Sequence, residues 1–205
     1  VTATVTSTYF TDLHTENGVN IVTSVTVSGI EQKEEKQYVT CENGTAYQAD
    51  IIIVGVGVKV NHSLAERAGL KVENGVCVDE YCRTSDESIY AIGDCAQHHS
   101  FIYNRKVRLE SVQNAMDQAN IAAMNICGKT MKYDKVPWFW SDQYGLKLQI
   151  VGLLHDYTDT VVRRDKSDPK SISVWYFKED TLISIDAVNQ PKAYMLGMRL
   201  IPKKA

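Results

Sequence analysis

Apolar and polar positions change their spacing several times along the chain, and each change predicts a different kind of element. Residues 7–17 read as a helix stopped by Gly18. Residues 19–27 are rich in β-branched side chains and read as a strand. The charged run 31–36 reads as a solvated turn. Residues 37–42 and 45–48 flank Asn43-Gly44 and predict a hairpin, because that pair tolerates positive φ. Residues 51–56 are continuously apolar, the pattern of a strand covered on both faces in the middle of a sheet.

The middle of the chain has a different rhythm. Residues 64–68 predict a short helix ending at Gly69, and residues 76–78 and 89–92 predict short strands. The strongest helical pattern follows: Val112, Ala115, Met116, Ala119, Ala122, Ala123 and Ile126 share one face, with Ser111 placed to cap it and Gly128 to stop it. Beyond Pro137 the pattern turns to strands at 146–154, 160–164, 171–178 and 181–188. Glu179-Asp180 joins the last two tightly, and Pro191 opens a final helix to Leu200. Strands followed by a helix predict a small α+β unit.

Composition narrows the classes. The 205 residues have room for one large domain or two small ones. The 22 basic and 25 acidic side chains leave a net charge of −3, without the basic excess that a phosphate backbone selects, so no nucleic-acid partner is expected. The longest apolar run, 51–58, is too short for a bilayer, and no charged-then-apolar signal opens the chain, so no membrane association is expected. The 5 cysteines form no Cys-x-x-Cys pair, which argues against a disulfide framework or structural zinc and for a reducing, cytoplasmic location.

Several residue patterns could carry chemistry. Gly55-Val56-Gly57 follows an apolar run but lacks the third glycine of a dinucleotide fingerprint, and a tight turn explains it at least as well. Gly93-Asp94 ends a short apolar segment; the glycine lets backbone approach a ligand and the carboxylate can accept from sugar-like hydroxyls, or else Asp94 caps its own turn. Arg108-Leu109-Glu110-Ser111 opens the strong helix, whose positive end could hold an anion or polarised carbonyl, although Ser111 as a cap and Glu110 as a favourable charge at that end explain both simply. Trp138, Phe139 and Trp140 cannot all face one core if extended, so one of them is free for a groove or partner. His98-His99 lacks further ligands at zinc spacing and reads as a solvated loop pair. No catalytic side-chain constellation, P-loop or metal motif appears.

Four segments in order are more specific than any one: ADIIIVGVGVKVN (49–61), TSDESIYAIGDC (84–95), VRLESVQNAMDQA (107–119) and PWFWSDQY (137–144). Together they resemble the second half of the FAD-dependent, NADH-oxidising ferredoxin reductases that serve bacterial oxygenases, the putidaredoxin reductase-like branch that also includes rubredoxin reductases and apoptosis-inducing factor. The resemblance implies an α/β FAD/NAD(P)-binding flavoprotein with a C-terminal α+β domain. It places the tail of the NAD-binding domain at 1–56, the second segment of the FAD-binding domain at 57–136 and the C-terminal domain at 137–205. It implies FAD and NADH as cofactors and a small [2Fe-2S] ferredoxin as partner, with homo-oligomerisation possible. By the same resemblance, Asp94 would bind the ribityl chain of FAD with Gly93 in the same cofactor site, and the backbone of Val112 would meet the flavin ring, where the positive helix end favours negative charge. Trp140 would lie beside the ring near the route to the partner, and Glu110 closest to the nicotinamide.

The flavin carries the reaction in such enzymes, so neither a side-chain nucleophile nor a metal is expected. The glycine-rich fingerprints of the family would lie upstream of Val1, which makes a fragment of a longer polypeptide the expectation. Alternative acceptors are rubredoxin, monodehydroascorbate or oxygen, and a non-catalytic docking or oligomerisation module is the alternative of another class.

Overall fold

The computed structural model of the protein describes residues 2–203. They form two compact units, one of residues 7–59 and the other of the remaining described residues. The first helix, α1 (Thr4–Glu16), has its opening residues in the larger unit and the rest in the smaller.

In the smaller unit, three strands form an antiparallel meander: β1 (Val27–Lys33), β2 (Lys36–Cys41) and β3 (Ala46–Ala49). The expected hairpin around Asn43-Gly44 is present. Gly44 supplies the positive φ, and the Asn43 side chain accepts from the Thr45 amide at 3.0 Å. Three expectations need correction. The strand placed at 19–27 begins only at Val27; the Thr26 carbonyl before it accepts from the Glu42 amide at 3.0 Å without extending the ladder. The charged run 31–36 is mostly strand, with the turn confined to Glu34-Glu35; paired charged side chains such as Lys33 and Glu31 stand out to solvent. Residues 51–56 form no strand at all. Ile53 and Val56 are each 91% exposed, since the covering that would make so apolar a run a central strand is absent from the described residues.

In the larger unit, α2 (Ser63–Arg67) is followed by β4 (Val76–Cys77), a 3-10 turn at Gly93–Cys95, β5 (Ala96–Ser100) and β6 (Arg105–Arg108). β4 pairs parallel to β5 and β5 antiparallel to β6. The strand expected at 89–92 is reduced to one bridge between Arg83 and Tyr90. α3 (Val112–Ile126) is the helix that the apolar spacing predicts, and Ser111 Oγ accepts from the Asn114 amide as its cap.

Five antiparallel strands follow: β7 (Trp138–Gln143), β8 (Leu146–Gly152), β9 (Asp159–Arg164), β10 (Ile172–Lys178) and β11 (Thr181–Val188), in the order β7-β8-β11-β10-β9. Helix α4 (Pro191–Leu200) lies against β8 and β11. Val151, Ile185, Ala187 and Ile201 form its buried apolar centre, the arrangement expected when alternate β-branched positions face one helix. A polar group closes the sheet elsewhere: Asp186 accepts from Thr6 Oγ1 and Tyr176 Oη, both at 2.6 Å. All three side chains are buried, and burial raises the carboxyl pKa of Asp186 despite the two donors.

Candidate functional site

The Gly93-Asp94 pair sits at a sharp change of chain direction. Ile92 is extended, and Gly93 then adopts φ +72°, a left-handed conformation that costs a glycine little. A side chain there would start 3.4 Å from the β-carbon of Ala115, so the turn is seated on the first turns of α3. The Gly93 amide points inward and donates to Gln118 Oε1 at 2.7 Å. Asp94 is thereby left on the exposed side of the turn.

The amino terminus of α3 lies in the same cluster. Val112, its first residue, is 60% exposed, and the first amides of a helix have no intrahelical acceptor. One guanidinium nitrogen of Arg108, Nη1, donates both to the Asp94 carbonyl at 2.9 Å and to the Glu110 carboxylate at 2.7 Å. That side chain is only 12% exposed, and its Nε is buried with no partner. A buried donor left unmet is uncommon in folded proteins and marks a place where an acceptor fits. The Gly93-Asp94 turn, Glu110 and the start of α3 at Val112, which the resemblance put at one site, therefore lie in one cluster, with Gly93 buried and the other three exposed.

Trp140 belongs to a different wall. Strand alternation puts Trp138 and Trp140 on one face of β7, with ring centroids 5.4 Å apart, and Trp138 stands edge-on to Tyr194 of α4 at the same separation. Trp140 is the outer member and is 43% exposed. Phe139, on the opposite face, lines a cleft of about 460 Å³ whose other side is formed by Arg105 to Leu109 of the β6 segment. β7 also touches α3.

Beneath the Gly93 turn lies a buried polar network that the apolar pattern gave no sign of. Gln118 Oε1 accepts from Gly93 and, at 3.4 Å, from Asn114 Nδ2; its Nε2 lies 3.3 Å from His98 Nδ1. Tyr133 Oη donates to Asn114 Oδ1 at 2.8 Å, and its ring stands edge-on to His98. His98 is thus not the solvated loop residue expected: it is buried on β5 between Tyr133 and Gln118, while His99 faces out. Burial, with His99 adding like charge, pushes the His98 pKa down to about 4, so the ring is neutral and its Nδ1 can accept from Gln118. Asn114 and Gln118, four residues apart, share a helix face; only their paired polarity among small residues hints at this role.

The five cysteines are free thiols. No helix among the described residues is long and apolar enough to cross a membrane.

Residues 3–119 match the family model described as pyridine nucleotide-disulphide oxidoreductase, and residues 138–205 match the reductase C-terminal model. Putidaredoxin reductase CamA of Pseudomonas putida is 43% identical over 204 residues, covering 98% of this chain and 48% of that protein. A rubredoxin-NAD(+) reductase of Pseudomonas putida is 44% identical over 151 residues, 74% of this chain and 39% of the relative. The crystal structure of a covalent putidaredoxin reductase-putidaredoxin complex matches the fold with a TM-score of 0.93 and 41% identity, over 100% of this chain and 49% of that one. This chain spans about half the length of the curated relatives it matches.

Proposed function

This chain belongs to the pyridine nucleotide-disulphide oxidoreductase family, and from that premise we propose that it forms part of an FAD-dependent reductase passing electrons from NADH to a small [2Fe-2S] ferredoxin. The observation that carries the reading is the Gly93-Asp94 turn seated on the open end of α3, with Arg108 joining Asp94 to Glu110. The residues fit a flavin dinucleotide: an exposed carboxylate would accept from ribityl hydroxyls, the first amides of α3 would donate to an electron-rich ring, and Arg108 Nε is a donor still unmet. A bound flavin supplies the exchange between a two-electron donor and a one-electron acceptor.

The chain's own residues divide the remaining work. Asp94 would hold the ribityl chain, presented on the exposed side of the turn by the left-handed Gly93. The Val112 amide, at the positive end of α3, favours negative charge on the ring it faces. Glu110, its direction set by Arg108, would be the carboxylate that meets the nicotinamide. Trp140 stands on the exposed path toward the acceptor. In this reading residues 1–56 complete an NAD-binding domain, 57–136 contribute the second segment of an FAD-binding domain, and 137–205 form the C-terminal domain.

In the full-length protein, Asp94→Ala is expected to weaken FAD binding about tenfold or more, because a charge-assisted hydrogen bond is lost. Flavin content after gel filtration and the dissociation constant of the refolded apoprotein measure it. Unchanged retention would remove Asp94 from the cofactor site. The similarity to a rubredoxin reductase supports a second acceptor class. NADH turnover with a [2Fe-2S] ferredoxin and with a rubredoxin, side by side, decides between them.

A further inference from the structure

We infer that Gln118 is a positioning residue for the flavin site, fixing where Asp94 stands relative to the amino terminus of α3 without touching the cofactor itself. The inference rests on the assignment of Asp94 to FAD made above.

Gly93 is the pivot of the turn. Its left-handed φ turns the chain and directs its amide into the protein, where water cannot reach it. The preceding residue is extended, so no helical or turn carbonyl precedes it to accept that amide. The acceptor is a side chain, Gln118 Oε1, at 2.7 Å and fully buried. Gln118 lies on the second turn of the same helix whose first residue is Val112. One hydrogen bond thus ties the turn that presents Asp94 to the helix that presents Val112, and the contact of Gly93 with Ala115 sets the spacing.

The amide of Gln118 is itself held in one orientation. Its oxygen also accepts from Asn114 Nδ2, and its nitrogen donates to His98 Nδ1, which requires the neutral ring protonated on Nε2. Asn114 is anchored in turn to the Leu109 carbonyl and to Tyr133. A flipped Gln118 would set NH₂ against the Gly93 amide, two donors facing each other. The network therefore leaves one arrangement, with every polar atom of the glutamine used.

The test compares refolded full-length apoproteins by quenching of FAD fluorescence. Gln118→Leu is expected to weaken FAD binding about tenfold, the equivalent of one net hydrogen bond with its buried donor left unmet. Gln118→Asn is one methylene shorter, withdraws the acceptor while staying polar, and carries the same expectation if the leucine variant does not fold. Gln118→Glu keeps the acceptor for Gly93 but cannot donate to His98. It should bind FAD within about threefold of the parent while raising the NMR titration midpoint of His98. The Asp94→Ala, Gln118→Leu double variant (or its asparagine counterpart) should bind within about twofold of Asp94→Ala alone, since Gln118 acts through Asp94.

Each outcome decides the matter. An equal loss from Gln118→Leu with and without Asp94 overturns the inference, because the effect would then be general destabilisation. Asp94→Ala weakened but Gln118→Leu and Gln118→Asn unchanged also overturns it and leaves the flavin assignment standing. If Asp94→Ala binds FAD as the parent does, the cofactor assignment fails and the inference fails with it.

Discussion

Gly152→Ala is expected to destabilise the larger unit by about 4 kcal/mol. Gly152 ends β8 at φ +86°, a conformation that costs a non-glycine residue roughly 1–3 kcal/mol. An added β-carbon would overlap the carbonyl oxygen of Ile183, come within 2.7 Å of Tyr103 Oη and press on Ile201. None of these can yield freely. The Ile183 carbonyl belongs to β11, and Tyr103 Oη both donates to it and accepts from the Leu153 amide, each at 2.9 Å. Forcing such a contact apart adds about 1–3 kcal/mol. The Gly152 amide also donates to the Pro137 carbonyl at 2.8 Å, so a shift would loosen the start of β7. Urea unfolding read by tryptophan fluorescence measures the change. A free energy within about 0.5 kcal/mol of the parent would mean that the Ile183 carbonyl does not stand over this position.

The second large effect is a loss of stability in acid traced to one ring. In the folded chain burial, with His99 adding like charge, pushes the His98 pKa down to about 4, against the ordinary 6.5 of an imidazole in the unfolded chain. Between those values the unfolded state binds the extra proton, so stability falls as pH drops from about 6.5 toward 4 and is fully present above 6.5. At about 1.4 kcal/mol per pH unit of difference, the ring accounts for roughly 3 kcal/mol. Asp186 works in the opposite sense. Its raised pKa means that its contribution is present at low pH and fades as pH rises through the folded-state value. The His98 share is therefore isolated by comparison with His98→Phe, which should be less stable at neutral pH but flatter between pH 6.5 and 4. Parallel profiles for the two proteins would show that His98 is not held neutral.

Part of this architecture is written in local pattern. α3 has small apolar side chains at helical spacing between a serine cap and a glycine stop, and nothing in the tertiary structure competes with it. The strands from β8 to β11 are dense in β-branched and aromatic residues, and the Glu179-Asp180 reversal joins β10 to β11 as its position suggested. Gly93 with Asp94 and the start of α3 each have a capping explanation as good as a binding one, and only the resemblance of the four ordered segments joins them into one site. What local pattern could not show was that Arg108 would join them, since that depends on β6 lying beside the turn. β5 and β6, Ala96–Ser100 and Arg105–Arg108, have little intrinsic strand preference; pairing makes them strands. His98 and Gln118 escaped for a related reason. A polar residue is read as exposed unless its partner is known, and their partners lie on other elements.

The open stretch from Ile51 to Val58 has a practical consequence. Uncharged, rich in β-branched residues and free of proline, it is an exposed apolar segment able to recruit like segments from neighbouring molecules. A solution of this 205-residue polypeptide should accordingly cluster as its concentration rises, and a lysine in place of Ile53 or Val56 should keep it dispersed.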